Sequence, residues 1–182
     1  MKTIKLHDKE FERYIPAKVI QNRILELAKI INNDLAGRTP LFIGVLNGAF
    51  LFCADLFKNI SIECEISFIK VSSYDGIKKE GIKTLVGLDE SVKGRDIIFV
   101  EDIVDSGATA LFLNDEIQKF QPKSVLWASL LLKPKALQHD ITVTYLGFEV
   151  PNEFLVGYGM DYRGLGRNLN DLYVIKNEPI IN

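Results

Sequence analysis

Two adjacent acids, Glu101-Asp102, close the apolar run Ile97-Ile98-Phe99-Val100, and Asp105-Ser106-Gly107-Ala108-Thr109 follow almost at once. The run has the pattern of a strand buried on both faces of a parallel sheet. Neighbouring carboxylates at the end of such a strand are costly unless they meet water, a cation or hydroxyl donors. The small residues beyond them open a helix, where backbone N–H groups converge on an anion and the helix dipole favours it. Ser106 and Thr109 add hydroxyl donors. The pattern is that of a phosphate cradle, and the acids before it suit the vicinal hydroxyls of a ribose. Asp105 does not fit a pure cradle, because its charge opposes a bound phosphate; proton transfer is the simplest chemistry that explains it. An N-capping Asp or Ser on an ordinary helix accounts for any one of these residues, but not for the string. GxxxxGK[ST] has no match in the chain, which argues against a P-loop nucleotidase.

The elements that must position this loop are legible from periodicity. Val19, Ile20, Ile24, Leu27, Ala28 and Ile31 follow helical spacing and predict a helix over 16–36, with Pro16 in its first turn and Gly37 just past its end. Residues 41–45 predict a buried strand, then Asn47-Gly48 leads to a helix over 49–58 with Phe50, Ala54 and Phe57 on one side. Residues 62–73 predict a strand, and the polar stretch 72–83 a long mobile loop of the kind that is often functional. A helix over 108–120 carries Leu113, Ile117 and Phe120, and strands follow at 125–132, near 141–148, near 154–157 and at 172–175. Strands alternating with helices define an α/β fold with a mostly parallel central sheet flanked by helices. In such sheets ligands bind beyond the carboxyl ends of the strands, where the Glu101–Thr109 segment falls.

Composition narrows the partners. With 22 Lys+Arg against 24 Asp+Glu in 182 residues, a net charge of −2 and a pI near 5.8, the chain lacks the basic excess of a nucleic-acid or membrane-surface protein. Its longest apolar run, 125–132, falls far short of the ~20 residues a bilayer span needs. The start, Met1-Lys2-Thr3-Ile4-Lys5, has no apolar export signal. Cys53 and Cys64 stand in apolar stretches without a CxxC, and His7 and His139 lie far apart, so the cysteines are expected to be reduced core residues in a cytoplasmic protein.

Val100-Glu101-Asp102-Ile103-Val104-Asp105-Ser106-Gly107-Ala108-Thr109 resembles the phosphoribosyl-diphosphate motif of type I phosphoribosyltransferases. Further motifs resemble the hypoxanthine-guanine phosphoribosyltransferases: Val45-Leu46-Asn47-Gly48-Ala49-Phe50, Val71-Ser72-Ser73-Tyr74, Leu130-Leu131-Leu132-Lys133, Gly147-Phe148-Glu149-Val150-Pro151, and the tail Gly157-Tyr158-Gly159-Met160-Asp161-Tyr162-Arg163 through Arg167-Asn168. The resemblance covers about residues 10–176. It implies one phosphoribosyltransferase domain over 1–182, with a core of about 36–150 and a small hood from the N-terminal segment and about 151–182. The implied reaction is purine salvage: a 6-oxopurine base displaces pyrophosphate from phosphoribosyl diphosphate, through an oxocarbenium-like transition state.

The same resemblance implies roles for matched residues. Asp105 to Thr109 hold the 5-phosphate, Glu101 and Asp102 the ribose hydroxyls, and Asp105 exchanges the proton at purine N7. Ile103, Lys133, Phe154, Leu155 and Asp161 bind the purine; Phe154 stacks on it and Lys133 donates to O6, a donor that adenine cannot satisfy. Leu46, Asn47, Gly48, Ser73, Tyr74 and Arg167 hold pyrophosphate, with a non-proline cis peptide expected in the 46–48 stretch and Ser73 and Tyr74 on a closing loop. Mg²⁺ is the implied cofactor, with Glu101, Asp102 and Asp161 as ligands. A homodimer or homotetramer is implied, with small-molecule partners and neither nucleic acid nor membrane.

Two positions depart from the family pattern. Asn47 stands where many relatives carry lysine, and Glu153 where some do. Lys133 and Phe154 favour an oxopurine without separating guanine from xanthine. A regulatory nucleotide sensor on the same fold is the rival from another class, and no appended helix-turn-helix supports it.

Overall fold

In the computed structural model, residues 2–72, 83–84 and 92–176 are described. Five parallel strands form the centre of a six-stranded sheet: β3 (Leu41–Leu46), β4 (Glu65–Ser72), β6 (Asp96–Val104), β7 (Ser124–Leu132) and β8 (Tyr145–Glu149). The short β5 (Lys83–Thr84) adds antiparallel to β4, giving the order β5-β4-β3-β6-β7-β8. From β3 the chain crosses through helix α2 (Phe50–Phe57) to β4 on one side. It then returns to β6 on the other side of β3 and continues through α3 (Ala108–Gln118) to β7. The order therefore reverses between β3 and β6. Loops leaving those two strands diverge and open a crevice at their carboxyl ends.

Both faces of this sheet are covered, which is why β3 and the Ile97–Val100 run of β6 are apolar. Ile98 and Val100 pack with Phe52 and Leu56 of α2 and with Ile20, Ile24, Leu27 and Ile31 of α1 (Ala17–Asp34). On the other face Ile97, Phe99 and Trp127 pack with Leu113 and Ile117 of α3, the Phe99 and Trp127 rings stacked at 4.7 Å. The antiparallel second sheet, β1-β2-β10-β9, joins β1 (Thr3–Leu6) and β2 (Lys9–Ile15) to β10 (Leu172–Ile175) and β9 (Leu155–Val156). It has its own small core of Phe11, Val156 and Tyr173.

The α/β class and the main elements agree with the sequence, with several differences. The N-terminal hairpin β1–β2 was not expected; its two-residue turn is His7-Asp8 rather than an Asn-Gly, and charged residues break its apolar alternation. In α1, Val19 is exposed rather than on the core face. In α2 the buried residues are Phe52, Cys53 and Leu56, while Phe50 and Ala54 face outward. Phe50-Leu51-Phe52-Cys53 is apolar all round, so periodicity could not say which side faces in. Strand pairing begins only at Glu65 in the 62–73 region and at Tyr145 in the 141–148 region. Cys53 is buried, whereas Cys64 is only half-buried; both are free. Ser73, Tyr74 and the rest of the expected mobile loop to residue 82 lie outside the described residues.

Candidate active site

β6 ends at Val104 and the chain turns through Ser106 into α3. Gly107, at φ 83° and ψ 0°, is the residue before the helix, a left-handed conformation that glycine adopts without penalty. Its carbonyl accepts from the Leu111 amide at 2.9 Å, while the Ser106 hydroxyl accepts from the Ala108 amide at 3.3 Å. The Ser106 carbonyl is held by the Gln138 amide at 3.0 Å, which fastens the loop from outside. Remaining first-turn amides of α3 have no helical partner. They border a pocket of about 260 Å³ lined by Glu101, Ile103 and every residue from Val104 to Ala110, Thr109 included.

A second, larger cleft of about 590 Å³ adjoins it. Gly48, Asp102, Ile103, Asp105, Lys133, Phe154, Leu155, Met160, Asp161 and Arg167 line it, so Ile103 and Asp105 belong to both spaces. These residues come from the ends of β3, β6 and β7, the segment after β8, and β9 with the loop that follows it. Lys133 follows β7 directly; its amide donates to the Val104 carbonyl at 3.0 Å, extending the ladder to the cleft floor. Its ammonium, on a side chain only 10% exposed, pairs with Asp105 Oδ2 at 2.7 Å. The Asp105 side chain itself is about half exposed, at 52%. Phe154 stands open to the cleft at 43% exposure, supported edge-on by Tyr162 with ring centroids 5.7 Å apart.

Alternation along β6 separates the two acids. Glu101 faces the smaller pocket, is 7% exposed, and its Oε2 has no hydrogen-bond partner. Burial, with the Asp102 charge second, holds its carboxyl well above the usual range. Asp102 faces the larger cleft, and burial lifts its carboxyl to about 6 against the opposing pull of its own and the Ile103 amide and of Arg167. It lies so close over Gly48 that a Cβ there would come within 1.9 Å of Oδ2. The Leu46–Asn47 peptide immediately before is cis, as expected for that stretch; neither residue borders the two pockets.

Arg167 is held on both sides. Its Nη1 donates to the Gly159 carbonyl at 2.8 Å, and its Nη2 pairs with Asp161 Oδ1 at 2.5 Å. Asp161 Oδ2 accepts from the Gly164 amide at 2.6 Å. Asp161 and Arg167, expected in separate roles, thus form one pair. Met160 was not singled out in the sequence, although it lies inside the tail motif. Among the described residues no three carboxylate, imidazole or thiolate groups converge as a ready metal cage, so Glu101, Asp102 and Asp161 do not form one by themselves.

Small residues at the start of α3, an acid paired with a lysine and an aromatic wall thus meet at the carboxyl ends of the strands. Comparison with known proteins identifies the family. The family model for the phosphoribosyl transferase domain matches residues 16–163. The bifunctional protein TilS/HprT of Listeria monocytogenes is 43% identical over 161 residues; the match takes in 87% of this chain, which spans only 25% of that protein. The hypoxanthine-guanine phosphoribosyltransferase of Streptococcus thermophilus is 41% identical over 87% of this chain and 89% of its own length. A crystal structure of a hypoxanthine-guanine phosphoribosyltransferase from Bacillus anthracis superposes with a TM-score of 0.85 at 37% identity, covering 91% of this chain and 97% of that one. The chain belongs to the phosphoribosyl transferase domain family, and within it to the hypoxanthine-guanine phosphoribosyltransferases.

Proposed function

We propose that this chain transfers the phosphoribosyl group of 5-phosphoribosyl 1-diphosphate to hypoxanthine, and to guanine, in purine salvage. One observation carries the reading: an anion pocket and a purine-sized cleft adjoin and share Asp105 and Ile103. A 5-phosphate in the cradle of residues 105–109 puts a ribose over Asp102 and its C1 toward the cleft. The base lies against Phe154, with the Leu155 main chain at its edge and the Lys133 ammonium at O6.

Purine N9 attacks C1 as the C1–O bond to pyrophosphate breaks, and the proton leaving N7 passes to the Asp105 carboxylate. Lys133 moves its hydrogen bond between Asp105 and O6. Arg167, Gly48 and the backbone at Leu46 and Asn47 receive the pyrophosphate, with Ser73 and Tyr74 as further contacts. The electrostatic load on that leaving group must be met locally, since the chain as a whole is slightly acidic.

The family's use of Mg²⁺ fits the donors present. Glu101 offers an oxygen without a partner, and Asp102 is crowded by burial and by Asp161. All are carboxylate oxygens, the donors Mg²⁺ takes alongside substrate oxygens. When bound, the ion supplies neutralisation of the diphosphate charge. Asp161 would share its carboxylate between the ion and Arg167.

The proposal includes the division into a core of about 36–150 and a hood from the N-terminal segment and about 151–182. It also includes a homodimer or homotetramer, small-molecule partners only, and a cytoplasmic setting. Free Cys53 and Cys64 support that setting; no helix among the described residues is long and apolar enough to cross a membrane.

Incubation with Mg²⁺ and phosphoribosyl diphosphate should convert hypoxanthine to IMP and guanine to GMP, and leave adenine unreacted. No turnover of hypoxanthine, guanine or xanthine sinks the assignment.

A further inference from the structure

A part-buried hydrogen-bonded knot centred on Asp55 is used by no step above. The Tyr158 hydroxyl donates to Asp55 Oδ2 at 2.5 Å, on a residue only 3% exposed. Gln21 donates to the same oxygen at 2.6 Å, and Lys58 pairs with Oδ1 at 2.7 Å. One carboxylate on α2 therefore joins α1, through Gln21, to the tail loop, through Tyr158. Burial, and then Asp55, hold the Tyr158 hydroxyl protonated far above its ordinary range, so it stays a donor.

Tyr158 leads directly to the diphosphate end of the site. The amide of the next residue, Gly159, donates to the Arg167 carbonyl at 3.0 Å, and its own carbonyl accepts from the Arg167 guanidinium. A Cβ on Gly159 would lie 2.0 Å from the Gly48 carbonyl oxygen, so the tail loop rests directly on the 46–48 turn. Asp55 belongs to the helix that begins two residues past Gly48. Gly48, α2, Asp55, Tyr158 and Gly159 thus close a ring of contacts. Tyr158 keeps a φ of 45°, which a non-glycine residue holds only where its surroundings impose it.

We propose that Tyr158, acting through Asp55 and Gln21, is a positioning residue for the diphosphate end of the site. It fixes the Gly159–Arg167 loop against the 46–48 turn, so that donors from the two segments face one leaving group. None of the three side chains borders the cleft, so the effect is indirect. The inference rests on the reading of that end as the pyrophosphate subsite.

The test is Tyr158→Phe in the full chain, followed by amide exchange of the free protein and by steady-state kinetics. Exchange should rise together in 46–50 and 157–167 and stay unchanged in α3. The KM for phosphoribosyl diphosphate should rise about tenfold while that for hypoxanthine stays within about twofold. Exchange rising in only one of the two segments, or equal shifts in both KM values, overturns the proposal. If Tyr158→Phe does not fold, Gln21→Leu removes another donor from the same carboxylate and must give the same pattern. A wild-type protein without turnover would defeat the functional reading alone, and exchange would still decide the clamp.

Discussion

Asp105 and Lys133 meet at 2.7 Å inside the cleft, and on the proposed reaction that pair would couple proton transfer to recognition of the base. With Asp105 ionised, the ammonium has a partner while the cleft waits. In that reaction an incoming oxopurine would take one donor of Lys133 at O6 and offer its N7 proton to Asp105, so the pair could exchange partners without leaving a charge unsatisfied. Adenine would present an amino group to the ammonium and fail at that exchange. Asp105→Asn keeps the size and one acceptor but cannot take the proton. Turnover should then fall by about 10²–10⁴, the usual worth of positioned acid–base catalysis. The Kd of phosphoribosyl diphosphate, measured by calorimetry, should change little. Equal losses in turnover and affinity would make Asp105 a binding residue only.

At the level of elements, the sheet holds the site at one end and a charge cluster at the other. Asp96, 5% exposed at the start of β6, accepts from the Ser124 hydroxyl at 2.7 Å, and lies 3.3 Å from Lys123 and 3.5 Å from Arg38. Burial would raise its carboxyl, but Ser124, Lys123 and Arg38 outweigh it and the net shift is downward. A carboxyl depressed by folding stabilises above its unfolded pKa and loses that contribution as pH falls through its folded one. Asp96→Asn should therefore cost about 1–3 kcal/mol at pH 7 and progressively less below about pH 4, read from urea unfolding at both pH values. A gap that does not narrow in acid would separate Asp96 from this role.

The strands that carry the site were legible because burial on both faces leaves unbroken apolar runs at Leu41–Leu46 and Ile97–Val100. The cradle was legible because Asp105-Ser106-Gly107 is a local string. The Lys133–Asp105 and Asp161–Arg167 pairs were not, since each needs a distance that only the folded loops set. The N-terminal strands escaped for a similar reason: β2 is completed by β10, with Phe11 opposite Ile175. No local pattern announces a partner that far along the chain.

Taken as a whole, the molecule lines the larger cleft from two packing units, the large sheet and the small one. The phosphate cradle and the acids stand on the large sheet, whereas Phe154 and the segment through Asp161 are carried by the small one. Phe11 is fully buried at the centre of that small core, 5.7 Å from the Tyr162 ring and 6.4 Å from Phe154 itself. A core with so few large side chains has little means of closing a void. Phe11→Ala should cost about 3–5 kcal/mol of the small unit's stability. Ile15, Leu155 and Leu172 tie the small unit into the large core, whereas Phe11 packs with Val156 and Tyr173, so the loss should be felt around Phe11 before it is felt globally. Phe154 would lose its backing through Tyr162, so the KM for hypoxanthine should rise several-fold while that for phosphoribosyl diphosphate holds. Circular dichroism should show the large sheet intact at temperatures where turnover of the base has already collapsed. If both KM values rise in step, or activity and ellipticity vanish together, the two sheets unfold as one unit and the site is not shared between them in this sense.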